Sequence, residues 1–570
     1  MTPGARFRRP VQTARRRWRR EHPPLPPAPP RLLGVAGVAL AVWFAAVGAG
    51  CGARTVAKPA ASVPRADTAV ARDARNKILS GAFSFLDRLE SFDEGRAYEQ
   101  VFERLNQWIR ALPSAAAAEA EAWKADPLVE RLPERLRSLA SAARLSSRSF
   151  DSQEDVRYLR DERWLATIAR TARAGALDDL AIAKRLFEWT VRSLALVGDP
   201  PMVPSEQNPG TRWFTPGEIL LSGRASAAQR AWIFLELLRQ AGLDGAMLAT
   251  ADAAGGLRPW VPAVVTGGEA YLFEPAYGMP IPGPGGTGVA TVRQAAADPA
   301  VLAALSLPDR PYPVQAGDVP GLAALVAADP LALAWRMGRI EEHLPAGDDT
   351  RPGMDVSALA RRIAAALPGE SVDRVQFWEF PWETLARRQR APAAVQAALQ
   401  DELAPQQLTL TEPGSRGGAR AFRPLFAARV REFRGDIEGP EGAKAAYMAA
   451  RPGRDTIAET VKRVPPAQAD GARAICGRMK EDATYWLGLL TLAEGETEAA
   501  VDFLERMTLV AAPDSRWTDA ARVNVARALA GSGRPLEAVK FLREDASPQR
   551  YGSRLEAARL EREAAAPAKP

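Results

Sequence analysis

The chain has 570 residues, which is too long for a single hydrophobic core and predicts about three or four domains. Hydrophobic residues make up 47% and charged residues 25% of the sequence, a composition that excludes a chain disordered over most of its length. The formal net charge of +7 comes from residues 1–31, which hold nine Arg and one Glu, so the rest of the chain is close to neutral and we expect no specific nucleic-acid partner.

An uncharged stretch follows this Arg- and Pro-rich tail. Leu32–Gly50 contains 19 residues without a charge, and at about 1.5 Å per residue it is just long enough to cross the ~30 Å core of a bilayer. With the arginines before it, it predicts a transmembrane signal anchor in a bacterial inner membrane, with the tail in the cytoplasm and the bulk of the chain in the periplasm. The alternative is a lipoprotein signal that leaves Cys51 lipidated.

Residues 51–75 are predicted to be a linker, and residues 76–175 show the spacing of helices. Apolar residues recur every three or four positions in Arg96–Leu112, which is the pattern of one buried helical face. Further helices are predicted over Ser114–Ala125, Leu128–Leu145 and Asp155–Ala172. The sequence therefore predicts an all-α domain or stalk in this part of the chain.

Residues 176–310 are predicted to form an α+β domain built around one helix. Four apolar residues have the i, i+3, i+4, i+7 spacing of a buried helical face: Ala231, Phe234, Leu235 and Leu238. Gly242 falls where a left-handed residue would end that helix. Strands are predicted after it, the last two as a hairpin, over Ala246–Thr250, Trp260–Val265 and Ala270–Glu274.

This region resembles the transglutaminase-like superfamily, whose fold is papain-like. Ala231 and the run Leu237–Leu243, LLRQAGL, fit the pattern that follows the nucleophile in that family. The resemblance implies a catalytic Cys, His and Asp at three positions. This sequence has Ala227, Trp260 and Glu274 there. The resemblance thus predicts the frame of a thiol hydrolase without its Cys and its His.

Residues 311–435 mix helical and strand patterns, and we assign them to an α+β domain of unknown type. The predicted elements are helices over Leu322–Ala328, Leu331–Leu344 and Val356–Leu367 and a strand over Arg374–Phe380. Trp378 and Trp382 lie beside two glutamates, which is typical of either a ligand surface or the edge of a core.

Residues 436–570 contain two similar helical units. In each unit a small residue is followed by an Ala 12 positions on and a Leu four further, at Gly488, Ala500 and Leu504 and again at Ala526, Ala538 and Leu542. This resembles tetratricopeptide repeats, in which small residues let paired helices approach closely. The resemblance implies a groove that binds a protein or peptide partner; a plain helical bundle is the alternative. Because two units are few, part of their core is expected to pack on another part of the protein.

Counting the reactive side chains limits the chemistry. The sequence has two Cys and two His, and between Gly52 and Ile475 it has no Cys. A Cys-His-Asp triad is therefore excluded from the central region, and the spacing required for a zinc site is absent. We expect no cofactor and no metal.

Two classes of function follow from the sequence. The favoured one is a membrane-tethered, extracytoplasmic and non-catalytic scaffold. Its central groove, with Arg224, Ser226, Trp260 and Glu274 as binding residues, takes a peptide or a cell-wall-like ligand, and its repeats bind a protein partner. The alternative is a hydrolase or acyltransferase with an atypical site, in which Ser226 acts with Glu274 and Arg224.

Overall fold

The computed structural model describes residues 68–199, 212–252, 254–369, 371–411 and 421–565, all of which belong to one compact unit that spans Pro64–Pro570. Most of these residues are helical, and they surround a mixed six-stranded sheet.

The predicted fold class included a transmembrane helix, and this part is corrected. In the ranges that the structure describes, no helix is both long and apolar enough to cross a membrane. The 25-residue helix Ala469–Ala493, for example, carries charged side chains along its first half. Leu32–Gly50 and Cys51, on which the membrane predictions depended, lie outside the described residues.

The helices before the sheet are α1 Ala69–Asp87, α2 Glu94–Arg110, α3 Ser114–Ala122, α4 Glu134–Arg137, α5 Ala142–Leu145, α6 Glu154–Ala172 and α7 Asp179–Ser193. Helix α2 forms where its apolar spacing predicted it, and Asp93 caps it by accepting the Arg96 N–H at 3.0 Å. Helix α1 begins inside the predicted linker because Thr68 caps it and accepts the Ala71 N–H at 3.2 Å.

The single helix predicted over Leu128–Leu145 is wrong. This stretch instead contains a 3₁₀ helix, Pro127–Arg131, the short helices α4 and α5, and a second 3₁₀ turn between them. Pro133 is the physical reason, because its ring disfavours a helical conformation at the preceding residue. Leu132 is accordingly extended, with ψ 147°.

The main sheet has the strand order β6-β5-β4-β3-β7-β8. Its strands are β3 Asp244–Ala251, β4 Leu257–Thr266, β5 Glu269–Glu274, β6 Met279–Pro280, β7 Ala323–Val326 and β8 Val375–Phe377. Two further strand pairs are β1 Ala195–Leu196 with β2 Arg224–Ala225, and β9 Leu410–Thr411 with β10 Ala421–Phe422. The predicted hairpin is present as β4 and β5, and Gly267 and Gly268 turn the chain with φ +59° and +78°.

Strand β7 corrects another prediction, a helix over Leu322–Ala328. All four residues of β7 are buried between β3 and β8. A short apolar run of this kind fits a buried strand and a buried helical segment equally well, so its periodicity does not decide between them. As a result, the sheet draws strands from both sides of residue 310, where we placed a domain boundary.

Helix α9 Ala227–Ala241 lies at the centre of the molecule. It packs against β3 and β4, and α6 and α7 cover it as well. Because it is enclosed on these sides, it is buried around most of its circumference and not only along the stripe that the sequence predicted. It ends at Gly242, whose φ of +79° is the predicted left-handed conformation.

The remaining helices of the middle part surround the sheet. They are α8 Pro216–Ser222, α10 Val292–Ala297, α11 Pro299–Ala303, α12 Trp335–His343, α13 Val356–Ala366, α14 Glu379–Gln389, α15 Ala393–Gln407, α16 Pro424–Arg434, α17 Ala443–Ala449 and α18 Arg454–Lys462. Trp378 and Trp382, one of whose interpretations was a ligand surface, are 2% and 0% exposed and belong to the core.

Each of the C-terminal helices packs against the next one in the chain. They are α19 Ala469–Ala493, α20 Thr497–Val501, which continues as a π-helix over Asp502–Val510, α21 Thr518–Gly531, α22 Pro535–Arg543 and α23 Arg550–Ala565. Leu504 lies against Gly488 so closely that a Cβ at this glycine would be 2.7 Å from Leu504 Cγ. Helix α23 meets the turn after β5 in the same way, because a Cβ at Gly552 would be 1.9 Å from the carbonyl oxygen of Tyr277.

Candidate functional site

The start of helix α9 is the position at which the family resemblance places a nucleophile. Ala227 is the first residue of the helix, and its methyl group offers no reactive atom. Ser226 precedes it and is 2% exposed. Its Oγ accepts the Gln229 N–H at 3.3 Å, while Gln229 Oε1 accepts the Ser226 N–H at 3.1 Å. This reciprocal pair is a capping box, so the Ser226 hydroxyl is engaged in capping the start of the helix.

Arg224, the second predicted binding residue in this loop, is engaged by the protein itself. It donates to both carboxylate oxygens of Glu402, at 3.0 and 3.1 Å. Arg212 and Arg516 approach the same carboxylate, at 3.4 and 3.5 Å. We call these four residues the Glu402 cluster. Burial alone would raise the pKa of Glu402, but the three guanidinium groups hold it below its ordinary value.

The C-terminal helices close over this loop. Gly223 has φ +64°, and a Cβ there would lie 3.0 Å from the Trp486 ring and 3.2 Å from the Trp517 ring. The loop can pass beneath the two indoles because it has no side chain at this point. The helix start is therefore covered by residues from the same chain.

The other two predicted residues, Trp260 and Glu274, meet through a third residue. Trp260 Nε1 donates to the Tyr312 hydroxyl at 2.9 Å, and that hydroxyl donates to Glu274 Oε2 at 2.5 Å. Glu274 Oε1 accepts the Ala276 N–H at 3.0 Å. Burial raises the pKa of Glu274 to about 7, although its hydrogen bonds with Tyr312 and the backbone act in the opposite direction. The sequence offered no local signal for Tyr312, which lies 38 residues from Glu274.

One buried side chain connects the helix start with the end of β5. Arg230, in the first turn of α9, is 2% exposed and donates to the Pro275 carbonyl at 3.1 Å. By contrast, Ser226 and Glu274 share no hydrogen bond among the described residues, and each has its own partners. The structure thus pairs Trp260 with Glu274 and places Arg224 and Ser226 in a separate, internally bonded loop.

Comparisons of the sequence with protein-family models, with curated proteins and with solved structures find no match. The transglutaminase-like and tetratricopeptide-like assignments therefore stay predictions. Over the described part of the chain, no group of three or more His, Cys, Asp or Glu side chains is placed to hold a metal ion.

A second candidate site is a groove of about 540 Å³ between the central part and the last helices. We call it the junction groove. Strand β6 and the loop after it form one wall, and α21, α22 and α23 form the other. Its wall has apolar patches, among them Met279, Pro280 and Leu560, together with the charged residues Lys184, Arg527, Glu556 and Arg559. A groove of this size falls in the range of ligand-binding clefts.

Proposed function

We propose that this protein is a non-catalytic binding scaffold, in which the transglutaminase-like central part holds the C-terminal helices in place and these helices bind a peptide or protein partner. The observation that carries the proposal is the capping role of Ser226. A nucleophilic hydroxyl must have a general base within hydrogen-bonding reach. Ser226 Oγ accepts the Gln229 N–H, and its residue is 2% exposed.

The other members of the predicted site support the same proposal. Glu274 accepts hydrogen bonds from the Tyr312 hydroxyl and from the Ala276 N–H, so both of its carboxylate oxygens have partners within the protein. Arg224 neutralises Glu402 instead of facing an open cleft. The close contact of Gly552 with Tyr277 fixes α23 against the end of β5, which suits a scaffold whose binding groove keeps one shape.

The test has an enzymatic and a binding part, both on the full chain. Purified wild type and Ser226→Ala are assayed on a panel of peptide amides and peptide esters, and both proteins are incubated with a peptide array. We expect the two proteins to have the same background turnover and to retain the same subset of peptides. Thr291→Ala is the matched control, because Thr291 caps α10 with an equivalent capping box.

Turnover that disappears in Ser226→Ala and persists in Thr291→Ala would contradict the proposal and favour the alternative, a hydrolase or acyltransferase with a Ser226/Glu274 site. The pKa of Glu274, about 7, is the observation on which that alternative depends, because a general base works best near the operating pH. An array from which no peptide is retained would also contradict the binding scaffold.

A further inference from the structure

We infer that the junction groove binds an acidic peptide segment of a protein partner. This inference rests on the proposed scaffold function and adds the chemistry of the partner. It depends on a set of positive charges, on the groove and near it, that have no carboxylate at ion-pair distance among the described residues.

Two of these charges line the groove itself. Lys184 projects from α7 and is exposed, and Arg527 projects from α21 and is partly buried. Within the described ranges neither residue forms an ion pair. The hydrogen bond that Arg527 makes in the described chain goes to a neutral partner, the Asn524 side chain, at 3.0 Å. The other cation in the groove, Arg559, is already neutralised by Glu556 on the same helix.

Two more arginines lie close to the groove wall. Arg230 reaches it through Gln549. The Arg192 backbone carbonyl accepts a hydrogen bond from the side-chain amide of Asn524, next to the groove, at 3.4 Å. Arg230 donates to the Leu194 carbonyl and to Gln549 Oε1, at 2.6 and 2.8 Å, and Gln549 itself lines the groove. Arg192, on α7, is also without an ion pair among the described residues. We call Arg192, Arg230 and Arg527 the junction arginines. Burial lowers the pKa of Arg230 to about 9, and the positive charge of Arg527 adds to this effect.

The carboxylates of Glu188 and Glu556 act on Arg527 from beyond ion-pair distance. Other buried arginines in the described chain have an acidic partner much closer. Arg336 bonds to Asp155 at 2.7 Å, and Arg160 bonds to Asp161 at 2.6 Å. Each of these arginines is more than nine-tenths buried and has an acidic partner at ion-pair distance. Uncompensated buried charge is costly, so a negative charge supplied from outside stabilises the junction arginines more than it would stabilise cations in water.

The shape and the apolar wall of the groove favour a peptide as the source of that negative charge. Apolar side chains from both walls face the groove, including Val289 and Leu542. A ligand that matches them carries apolar groups next to its carboxylates, as an acidic segment with interspersed apolar residues does. Charges of one sign in a cleft also raise the rate of encounter with a partner of the opposite sign, and salt weakens this effect.

The experiment uses the full chain and arrays of dodecapeptides of three compositions. Apolar residues alternate with Asp and Glu in the first set, with Lys and Arg in the second, and with Ser and Gln in the third. We expect retention of the acidic set above the other two. The best acidic peptide is then labelled with fluorescein, and its dissociation constant is measured by anisotropy at 50 and 300 mM NaCl. We expect weaker binding at the higher salt concentration.

Charge variants locate the binding site. Lys184→Glu is expected to weaken binding about threefold to tenfold, because it replaces one attraction by a repulsion. Lys124→Glu is the matched control, since Lys124 is exposed, lies outside the groove and forms no ion pair with a described residue. It is expected to leave the dissociation constant unchanged. Arg527→Gln removes a groove charge, and it is expected to weaken binding by a similar factor without lowering the melting temperature.

The outcomes separate the inference from the scaffold function. Retention of neutral or basic peptides without a preference for acidic ones would refute the inference and leave the scaffold function standing. Equal effects of Lys184→Glu and Lys124→Glu would refute the placement of the peptide in the junction groove. If the arrays retain no peptide of any composition, both the inference and the proposed function fail.

Discussion

Replacing Glu274 by Gln makes the most direct test of the hydrogen-bonded chain Trp260–Tyr312–Glu274. Glu274 ionises near its ordinary value of 4.5 in the unfolded chain and near 7 in the folded protein, because burial disfavours its charged form. Between these two values the folded state binds the proton more tightly. The contribution of Glu274 to stability is therefore complete below about pH 4.5 and is lost as the pH rises through about 7.

The magnitude follows from the size of that shift. The pKa of Glu274 rises from 4.5 in the unfolded chain to about 7 in the folded protein. This difference means that the free energy of unfolding of the wild type falls by about 3 kcal/mol as the pH rises through this range. Gln cannot ionise, and its amide can still pair with the Tyr312 hydroxyl. The variant is thus expected to gain about 3 kcal/mol relative to the wild type between pH 4.5 and pH 8.

Urea unfolding at pH 4.5, 6, 7 and 8, followed by tryptophan fluorescence, measures the difference between the two proteins. Using a difference removes the contributions of other titrating groups, which the two proteins share. Glu121→Gln serves as the control, because Glu121 is exposed on α3. A Glu274→Gln difference that stays constant with pH would refute the argument that burial holds this carboxyl group near neutrality.

Three further predictions concern the helix start and the C-terminal helices. Ser226→Ala and Thr291→Ala each remove the hydroxyl of a capping box and are expected to lower the free energy of unfolding by similar amounts, about 1 kcal/mol, in urea titrations; a far larger loss for Ser226 would indicate a role beyond capping. Gly488→Ala is expected to cost about 1–3 kcal/mol, since its Cβ would meet the buried Leu504, whereas Gly477→Ala in the same helix has open space and is expected to stabilise by about 0.5–1 kcal/mol. Thermal melts of the pair would contradict the close helix contact if both variants behaved alike. Glu402→Gln leaves three guanidinium groups without their shared carboxylate and is expected to cost about 2–4 kcal/mol; a loss below about 0.5 kcal/mol would show that the cluster is not held by this charge.

Short sequence patterns predicted the helices and turns whose formation depends on residues close together in the chain. The stripe that includes Phe234 and Leu238, together with Gly242, located helix α9 to within its cap, and the glycine pair after Thr266 located the hairpin. Strand β7 differs from the predicted helix because its four apolar residues, taken alone, fit a helix and a strand equally well. Its neighbours β3 and β8, which are distant in sequence, decide the outcome.

In the candidate site, too, features set by neighbouring residues were predictable and features set by distant residues were not. Glu274 ends the strand predicted over Ala270–Glu274 after the glycine turn, and the structure confirms that strand. Its partner Tyr312 and the Arg224 partner Glu402 lie 38 and 178 residues away. Hydrogen bonds of this range depend on how the elements pack, so a single sequence carries no local trace of them. The capping role of Ser226 does have a local signature, because Gln229 follows three positions later and completes the capping box.

The balance of charge distinguishes the two candidate sites and favours the junction groove as the place for a ligand. In the Glu402 cluster, Glu402 and the buried Asp482, which pairs with Arg516 at 2.6 Å, offset most of the charge of the three arginines. The helix start is therefore electrostatically satisfied by the chain itself and covered by two indoles. Among the junction arginines, Arg230 and Arg527 have neutral hydrogen-bond partners, and the set opens onto a groove through Arg527 and Gln549. Because desolvated charge without a partner costs free energy, an anionic ligand gains more at the junction than at the helix start, whose own charges are already paired.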